Sequence, residues 1–115
     1  MFPKKNRLPS YLIPQVLKKG RRFHSQFFTL IIDSSFLPKK HQESRLAIII
    51  PLKLDKRAVK RNKIKRRLKH ILREILEKIK PGYNVLFMAK KGVMTEGYLS
   101  TKAEVEKILK KAKLL

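Results

Sequence analysis

The clearest hydrophobic pattern in the chain lies between residues 57 and 80. Apolar side chains recur there every three or four positions, which is the spacing of one buried helix face. They are Ile64, Leu68, Ile71, Leu72, Ile75, Leu76 and Ile79. At ~100° per residue they cover an arc of roughly 140°. Pro81 and Gly82 follow as helix breakers. The pattern therefore predicts a long helix with one side packed on a core.

Three other segments have the pattern of β-strands. Residues 23–33 alternate, with Phe28, Leu30 and Ile32 on one face and Phe27, Thr29 and Ile31 on the other. Residues 46–50 are apolar on both faces, which favours a buried strand at the centre of a sheet. Residues 83–89 form a third apolar strand, and the polar stretch 33–43 is expected to be a loop.

Two shorter helices complete the predicted fold. The first ends at Gly20 and begins either at Ser10 as a cap or at Pro14 as the first helical residue. The last is expected to begin at Thr101, which together with Glu104 matches a capping box. Strands and helices mix without strict alternation, so we predict an α+β fold in a single domain spanning residues 1–115.

Charge indicates what kind of partner such a domain binds. The net charge is +22, from 30 Lys and Arg against 8 Asp and Glu. Self-repulsion of this size is relieved by a polyanion, and nucleic acid is the leading candidate. A membrane surface would require a free apolar helix face, whereas the stripe of the long helix is needed for the core. We therefore expect no membrane partner.

Other features of the sequence exclude cysteine-dependent sites and indicate the location of the protein. The chain contains no cysteine, which excludes disulfides, thiol catalysis and zinc–thiolate sites. No apolar segment follows the basic N-terminus, and an apolar run such as 46–50 is too short to span a bilayer. A cytoplasmic location is the expectation.

Basic residues crowd the first half of the long helix. No acid occurs from Lys56 until Glu74, and Arg57, Arg61, Lys65, Lys69 and Arg73 form one column at four-residue spacing. Each like-charge neighbour there disfavours the helix by about 0.2–0.5 kcal/mol. Cations near a helix N-terminus cost about 0.3–1 kcal/mol each. So many unfavourable charge placements in one helix indicate that a bound ligand compensates for them. A surface of this kind can bind along an RNA backbone by charge.

Asn62 lies inside this basic run, and two roles remain open for it. It could make a local hydrogen bond near the helix start, or contact a ribose, a phosphate or the water of a bound ion.

The sequence shows no set of catalytic residues typical of a protein nuclease. His24, His41 and His70 have no spacing that brings them together as acid and base. The eight acids are scattered, so no two-metal site is predicted, and there is no Gly-rich phosphate loop. Glu74 and Glu77 are expected to pair locally with Arg73 and Lys78. The sequence thus predicts no catalytic residue and no metal site in this chain.

The run KRAVKRNKIKRRLK at positions 56–69 resembles the basic RNR helix of the ribonuclease P protein subunit family. Other segments follow in the family's order, namely residues 6–8, 18–22, 27–30, 83–91 and Tyr98. The resemblance covers nearly the whole chain. It implies an αβββαβα sandwich with a long basic helix on the sheet, a ribosomal-protein-like fold with a left-handed βαβ crossover.

The resemblance also implies a function. Such a protein binds the ribonuclease P RNA and the 5′ leader of precursor tRNA. The RNA, with Mg²⁺ held mainly by the RNA itself, hydrolyses the bond that frees the mature 5′ end. The holoenzyme is then an endoribonuclease with one protein per RNA, and the protein supplies no catalytic residues. The alternative from a different class is a basic structural or ribosomal RNA-binding protein.

Two groups of residues are predicted to contact RNA, and by match to the family motif Arg61, Asn62, Lys65, Arg66 and Lys69 would do so, with Lys53 extending that surface. The RNA-binding group lies on and before the long helix and comprises Lys53, Lys56, Arg57, Lys60, Arg61, Asn62, Lys63, Lys65, Arg66, Arg67, Lys69 and Arg73. The leader cleft, between the first helix and the sheet, comprises Ile13, Leu17, Phe27, Thr29 and Ile31, with Leu115 nearby. The family often has aromatic residues in this cleft, and stacking is worth about 1–3 kcal/mol per base. Largely aliphatic positions here imply leader binding that is either weaker or more apolar in character.

Overall fold

A four-stranded sheet with helices on both faces forms the body of the protein in a computed structural model, which describes residues 3–34 and 43–115. The elements are α1 (Ile13–Lys19), β1 (Arg21–His24), β2 (Phe28–Asp33), β3 (Arg45–Ile49), α2 (Ala58–Ile75), β4 (Asn84–Ala89) and α3 (Tyr98–Lys111). The strand order is β1-β2-β4-β3. Strands β3 and β4 are parallel and connected by α2, whereas the other neighbours are antiparallel. The predicted α+β class and αβββαβα order are confirmed.

The larger core lies between the sheet and the helices α2 and α3. Five residues of the predicted stripe are buried within α2, at positions 64, 68, 71, 72 and 75. They pack with residues of β2 and β4 such as Phe28, Leu30 and Phe87. Each fully buried aliphatic side chain contributes about 1.5–3 kcal/mol, against about 0.2–0.5 kcal/mol for each repulsive pair in the basic column. Tertiary packing therefore holds α2 in place despite its charge.

A smaller core lies on the opposite face, beneath α1. Leu12 and Val16 pack there on Ile31 of β2 and Leu86 of β4. The helix ends at Gly20, whose N–H donates to the Val16 carbonyl oxygen at 2.8 Å. A Cβ on Gly20 would lie 2.5 Å from Ile31 Cγ2. Glycine is required here because the chain passes so close to the sheet.

Both candidate starts of the first helix have a counterpart in the structure. A 3₁₀ turn spans Ser10–Leu12, and the α-helix begins directly after it at Ile13, with Pro14 in its first turn. Proline is tolerated there because first-turn N–H groups have no partner within the helix.

The segment 23–33 is a hairpin of β1 and β2, so the prediction of one continuous strand is wrong. The Ser25 N–H donates to the Phe28 carbonyl oxygen at 2.9 Å, and the Phe28 N–H donates to Ser25 Oγ at 3.2 Å. A serine hydroxyl can close a turn in this way. The alternating pattern continues through the turn, and the turn contains no glycine, proline or asparagine. The sequence therefore gives no sign that the strand is interrupted.

Strand β3 lies at the edge of the sheet, so its predicted central position is wrong. Its two faces are nonetheless covered, with Leu46 and Ile48 in the larger core and Ala47 and Ile49 against the smaller one. The N-terminal segment pairs with part of the open edge, where the Leu8 N–H donates to the Leu46 carbonyl oxygen at 2.9 Å. A strand pattern that is apolar on both faces indicates that both faces are covered. It does not indicate whether the strand lies at the centre or at the edge of the sheet.

The ends of α2 and α3 also differ from the predictions. After Ile75 the chain makes a 3₁₀ turn, Leu76–Lys78, instead of continuing as α-helix to residue 80. Helix α3 begins at Tyr98, so the predicted capping box is wrong. The Thr101 side chain is buried inside the helix and donates to the Gly97 carbonyl oxygen at 2.7 Å. Within the described residues, no helix combines the length and apolar character needed to cross a bilayer.

Candidate nucleic-acid interface

The packing of α2 decides where its cations point. With the apolar stripe against the sheet, the basic residues lie on the remaining surface of the helix. The exposed ones on α2 are Lys60, Lys63, Arg66 and Arg73, together with Asn62, and Lys53, Lys56 and Arg57 are exposed just before the helix. Arg61, Lys65, Arg67 and Lys69 are half-buried along the two flanks. The structure therefore leaves all of the predicted RNA-binding residues accessible, and it buries none of them.

An acidic residue organises the start of α2. The Arg57 N–H and Nε both donate to Asp55 Oδ1, at 2.9 and 3.1 Å, while Arg57 Nη2 donates to Asp55 Oδ2 at 3.0 Å. Arg61 Nη1 donates to the Asp55 main-chain oxygen at 2.7 Å. The hydrogen bonds from Arg57 lower the Asp55 pKa to about 2, and Asp55 raises the pKa of Arg57. Two guanidinium groups are thus fixed at the first helical turn.

Sequence reasoning missed this role of Asp55. The available signal was an acid two residues before an arginine at a helix start, a spacing that suits a side-chain bond to the backbone.

A groove of about 230 Å³ runs along the β3 edge, between α2 and the N-terminal segment. Lys65 and Lys69 of α2 form one wall, and Arg7, Ser10 and Ile13 lie among the residues opposite. Leu8, Leu46, Ala47 and Ile48 complete the lining. The groove therefore combines cationic side chains with an apolar floor. It also brings together Ile13 from the predicted cleft and two lysines from the predicted RNA-binding helix.

Of the remaining cleft residues on the α1 face, Leu17 is half-buried like Ile13, whereas Thr29 and Ile31 are buried. Leu17 is half-buried against the smaller core. Ile31 is fully buried beneath Gly20 and supports the cleft from below without offering a contact surface. Thr29 is buried on β2, with its Oγ1 3.3 Å from His24 Nδ1.

Phe27 and Leu115 lie on the other side of the sheet. The Phe27 side chain is 3% exposed and belongs to the larger core, and Leu115 packs against that same core. Their placement in the leader cleft is wrong, because the turn at Ser25 changes which face Phe27 joins. Tyr11, whose neighbour in the chain Ser10 lines the groove, is an aromatic residue that is 76% exposed. Sequence reasoning did not single it out.

Glu74 links α2 to α3. Its Oε1 lies 2.8 Å from His70 Nε2 and accepts a hydrogen bond from Tyr98 Oη at 2.8 Å, while its Oε2 pairs with Lys102 Nζ at 3.1 Å. The bonds from Tyr98 and Lys102 lower the pKa of Glu74. The partners of Glu74 are therefore these three residues, and not the Arg73 and Lys78 suggested by the sequence.

The histidines that the structure describes are held apart. His24 lies on β1 beside Thr29, and His70 lies on α2 beside Glu74. His41 falls outside the described residues. Over residues 3–34 and 43–115, no three His, Asp or Glu side chains come together as a set that could hold a metal ion.

These features define a class of small, strongly basic α+β proteins whose longest helix presents its cations to solvent beside a groove. The ribonuclease P family model matches residues 2–113 of the chain. The ribonuclease P protein component of Synechococcus sp. strain JA-2-3B'a(2-13) is 34% identical over 116 residues, which cover 100% of this chain and 87% of that protein. The corresponding protein of Rickettsia felis is 36% identical, over 80% of this chain and 83% of its own length.

Solved structures show the same fold. A Staphylococcus aureus RNase P protein mutant, described as defective in mRNA degradation activity, superimposes with a TM-score of 0.85 at 25% identity, covering 97% of this chain and 92% of that chain. The RNase P protein from Thermotoga maritima gives a TM-score of 0.78 at 21% identity, covering 91% and 96%. The chain belongs to the ribonuclease P protein family. Its holoenzyme is an endoribonuclease of tRNA processing in which the protein has an RNA partner.

Proposed function

We propose that this chain binds the ribonuclease P RNA and the 5′ leader of precursor tRNA, and so assists the RNA-catalysed removal of the leader in the cytoplasm. The observation that carries the proposal is the position of Lys65 and Lys69. Both are half-buried on the flank of α2 that adjoins its exposed basic surface, and both form the wall of the groove beside β3. A single continuous surface can then contact both RNAs.

The outer surface of α2 is suited to the catalytic RNA. It presents a column of cations on a helix that the larger core holds rigid. Each phosphate that a lysine or arginine neutralises releases condensed counterions, which gives affinity without reading the base sequence. Asp55 fixes Arg57 and Arg61 before RNA arrives, so less conformational entropy is lost when they bind.

The groove is suited to a single strand such as the leader. Phosphates would lie toward Lys65 and Lys69, while sugars and bases lie against Ile13 and Ala47. Aliphatic side chains give less than aromatic stacking, which is worth about 1–3 kcal/mol per base. Tyr11 is the exposed aromatic residue placed to stack on a base that leaves the groove.

The chemical step belongs to the RNA in this proposal. Mg²⁺ is held mainly by RNA phosphates, and one protein binds each RNA. The protein contributes by neutralising phosphate charge, which lowers the Mg²⁺ concentration that the assembled RNAs need. The ribosomal or general structural alternative shares the charge, but it does not account for membership of the family.

Reconstitution tests the proposal. Precursor tRNA is incubated at low Mg²⁺ with protein alone, with the cognate ribonuclease P RNA alone, and with both. We expect correct 5′ cleavage only when both are present. The gain in cleavage over RNA alone should be smaller for a precursor whose leader is only a few nucleotides long. Cleavage by the protein alone, or no gain over RNA alone, would contradict the proposal.

A further inference from the structure

Asn6 is a buried polar residue in the N-terminal segment, here residues 3–12, which contributes to the wall of the groove opposite α2. The residue is 4% exposed, and its side-chain Nδ2 donates to the Ser44 main-chain oxygen at 2.9 Å. A buried polar group without a partner costs free energy, so buried amides are nearly always hydrogen-bonded. The bond to Ser44 therefore fixes the N-terminal segment at one point.

Ser44 is held in turn by the chain that leaves α2. Its Oγ donates to the Lys80 main-chain oxygen at 2.6 Å and accepts a hydrogen bond from the Tyr83 N–H at 3.2 Å. Residues 80 and 83 lie in the connection from the end of α2 to β4. Asn6 is thus linked, through Ser44, to the chain that continues from the helix forming the other wall of the groove.

A second attachment of the segment lies two residues further along. The Leu8 N–H donates to the Leu46 main-chain oxygen at 2.9 Å, and the Leu8 side chain packs in the smaller core. Arg7, which lines the groove, lies between the two attachments. Loss of the Asn6 bond would therefore loosen the wall at Arg7, while the attachment at Leu8 would keep the segment near the sheet.

An exposed ion pair also lies on this segment, where Lys5 Nζ is 3.3 Å from Glu43 Oε2. Exposed pairs of this kind contribute little to stability. The buried bond from Asn6 is therefore the stronger constraint on this part of the segment.

We propose that Asn6 is a positioning residue for leader binding, which touches no RNA itself but holds Arg7 at a fixed separation from Lys65 and Lys69. This inference rests on the proposed function, because it takes the leader to be the ligand of the groove. The apparent affinity for a ligand falls with the fraction of the protein in the binding-competent conformation. A wall that has to be ordered at each binding event would bind the leader more weakly.

Asn6→Ala tests the inference, because it removes the hydrogen-bond donor without changing the net charge. The measurement is the Kd of the assembled holoenzyme for two precursor tRNAs, one with a long leader and one with a leader of only a few nucleotides. We expect the long-leader precursor to bind about threefold to tenfold more weakly and the short-leader precursor to bind as it does to the wild type. Normal binding of the short-leader precursor also shows that the variant folds and assembles.

Thr101→Val is the matched control for a general loss of stability. It removes another buried side-chain hydrogen bond, from Thr101 Oγ1 to the Gly97 main-chain oxygen in α3, and it also leaves the net charge unchanged. We expect Thr101→Val to lower the denaturant midpoint of unfolding and to leave the Kd of both precursors unchanged.

A tether that replaces the lost bond distinguishes position from any other effect of Asn6. The chain contains no cysteine, so Lys5→Cys with Glu43→Cys, added to Asn6→Ala, can be joined by a short reducible crosslinker. The wild-type side chains at these two positions already meet at 3.3 Å. Crosslinking should restore the affinity for the long-leader precursor, and reduction should abolish it again.

Three results would overturn the inference: equal weakening of both precursors by Asn6→Ala, an unchanged Kd for the long-leader precursor, or no restoration by the crosslinker. The wild type separates this inference from the proposed function. If the wild-type holoenzyme binds the two precursors alike, the groove does not hold the leader and the proposed function fails. If the wild type prefers the long leader and Asn6→Ala prefers it equally, only the role of Asn6 is wrong.

Discussion

Asp55 and Arg57 are joined by three hydrogen bonds at the start of α2, one from the Arg57 backbone N–H and two from its guanidinium. The pair places a carboxylate just before the N-terminus of a helix that otherwise carries only cations there. A negative charge at this end is favoured by the helix dipole. Asp55 therefore both stabilises the helix start and fixes the direction of Arg57.

Substitution of Asp55 distinguishes its effect on the orientation of Arg57 from the effect of its negative charge. Asp55→Ala raises the net charge by one, so charge alone predicts tighter binding to RNA. We expect binding to the ribonuclease P RNA to be weaker by about threefold to tenfold, because Arg57 loses its fixed orientation. The measurement is the Kd at one fixed salt concentration. Glu77→Gln, at an exposed position after α2, is the matched control and should not weaken binding. Tighter binding by Asp55→Ala would show that Asp55 acts only as a charge.

The same pair predicts a pH dependence of stability. The pKa of Asp55 is lowered from its ordinary value of 3.8 to about 2 in the folded protein. A lowered pKa means that the ionised form stabilises the fold above the unfolded value, and that this contribution is lost as the pH falls toward the folded value. The difference in unfolding free energy between the wild type and Asp55→Asn should therefore shrink from pH 4 to pH 2. A difference that stays constant over that window would exclude the linkage.

Gly20 tests the close approach of α1 to the sheet. Gly20→Ala places a Cβ 2.5 Å from Ile31 Cγ2 and 2.6 Å from the Val16 carbonyl oxygen. We expect the unfolding free energy to fall by about 1–3 kcal/mol, as in other overpacked sites. In Gly97→Ala the new Cβ meets no atom within 4 Å, so a loss below about 1 kcal/mol, from the change of helix cap, is expected. Denaturant unfolding measures both, and equal losses would mean that the approach is not tight.

Tyr11 tests the contribution of stacking to leader binding. If its exposed ring stacks on a leader base, Tyr11→Ala should cost about 1–3 kcal/mol in holoenzyme affinity for precursor tRNA with a long leader. Tyr11→Phe keeps the ring and should retain the affinity. A precursor with a leader too short to reach Tyr11 should bind all three proteins alike. The idea fails if Tyr11→Ala and the wild type bind the long-leader precursor equally.

The sequence predicts best those elements whose buried residues recur at the spacing of one helix face. The stripe from Ile64 to Ile75 specifies which side of α2 packs on the sheet, and the cations consequently lie outside. Prediction failed where a single hydrogen bond decides the local structure. The Ser25 hydroxyl breaks a strand pattern that otherwise continues, and the Thr101 hydroxyl bonds inside a helix that it appeared to cap.

Contacts between distant residues lay beyond sequence reasoning for a different reason. Tyr98 and Lys102 meet Glu74 only because α3 packs beside α2. The groove likewise requires the N-terminal segment, β3 and α2 to meet at one edge of the sheet. Asp55 and Arg57 are an intermediate case, since they are two residues apart and their pairing was within reach of the sequence.

The most direct test of the account is the salt dependence of binding to the ribonuclease P RNA. A plot of the logarithm of the association constant against the logarithm of the salt concentration has a slope set by the number of phosphates neutralised. Lys65→Ala with Lys69→Ala should reduce the magnitude of this slope by about 2, whereas Lys107→Ala with Lys110→Ala on α3 should leave it unchanged. An unchanged slope for the α2 variant would show that Lys65 and Lys69 neutralise no phosphate of this RNA, and it would contradict the account.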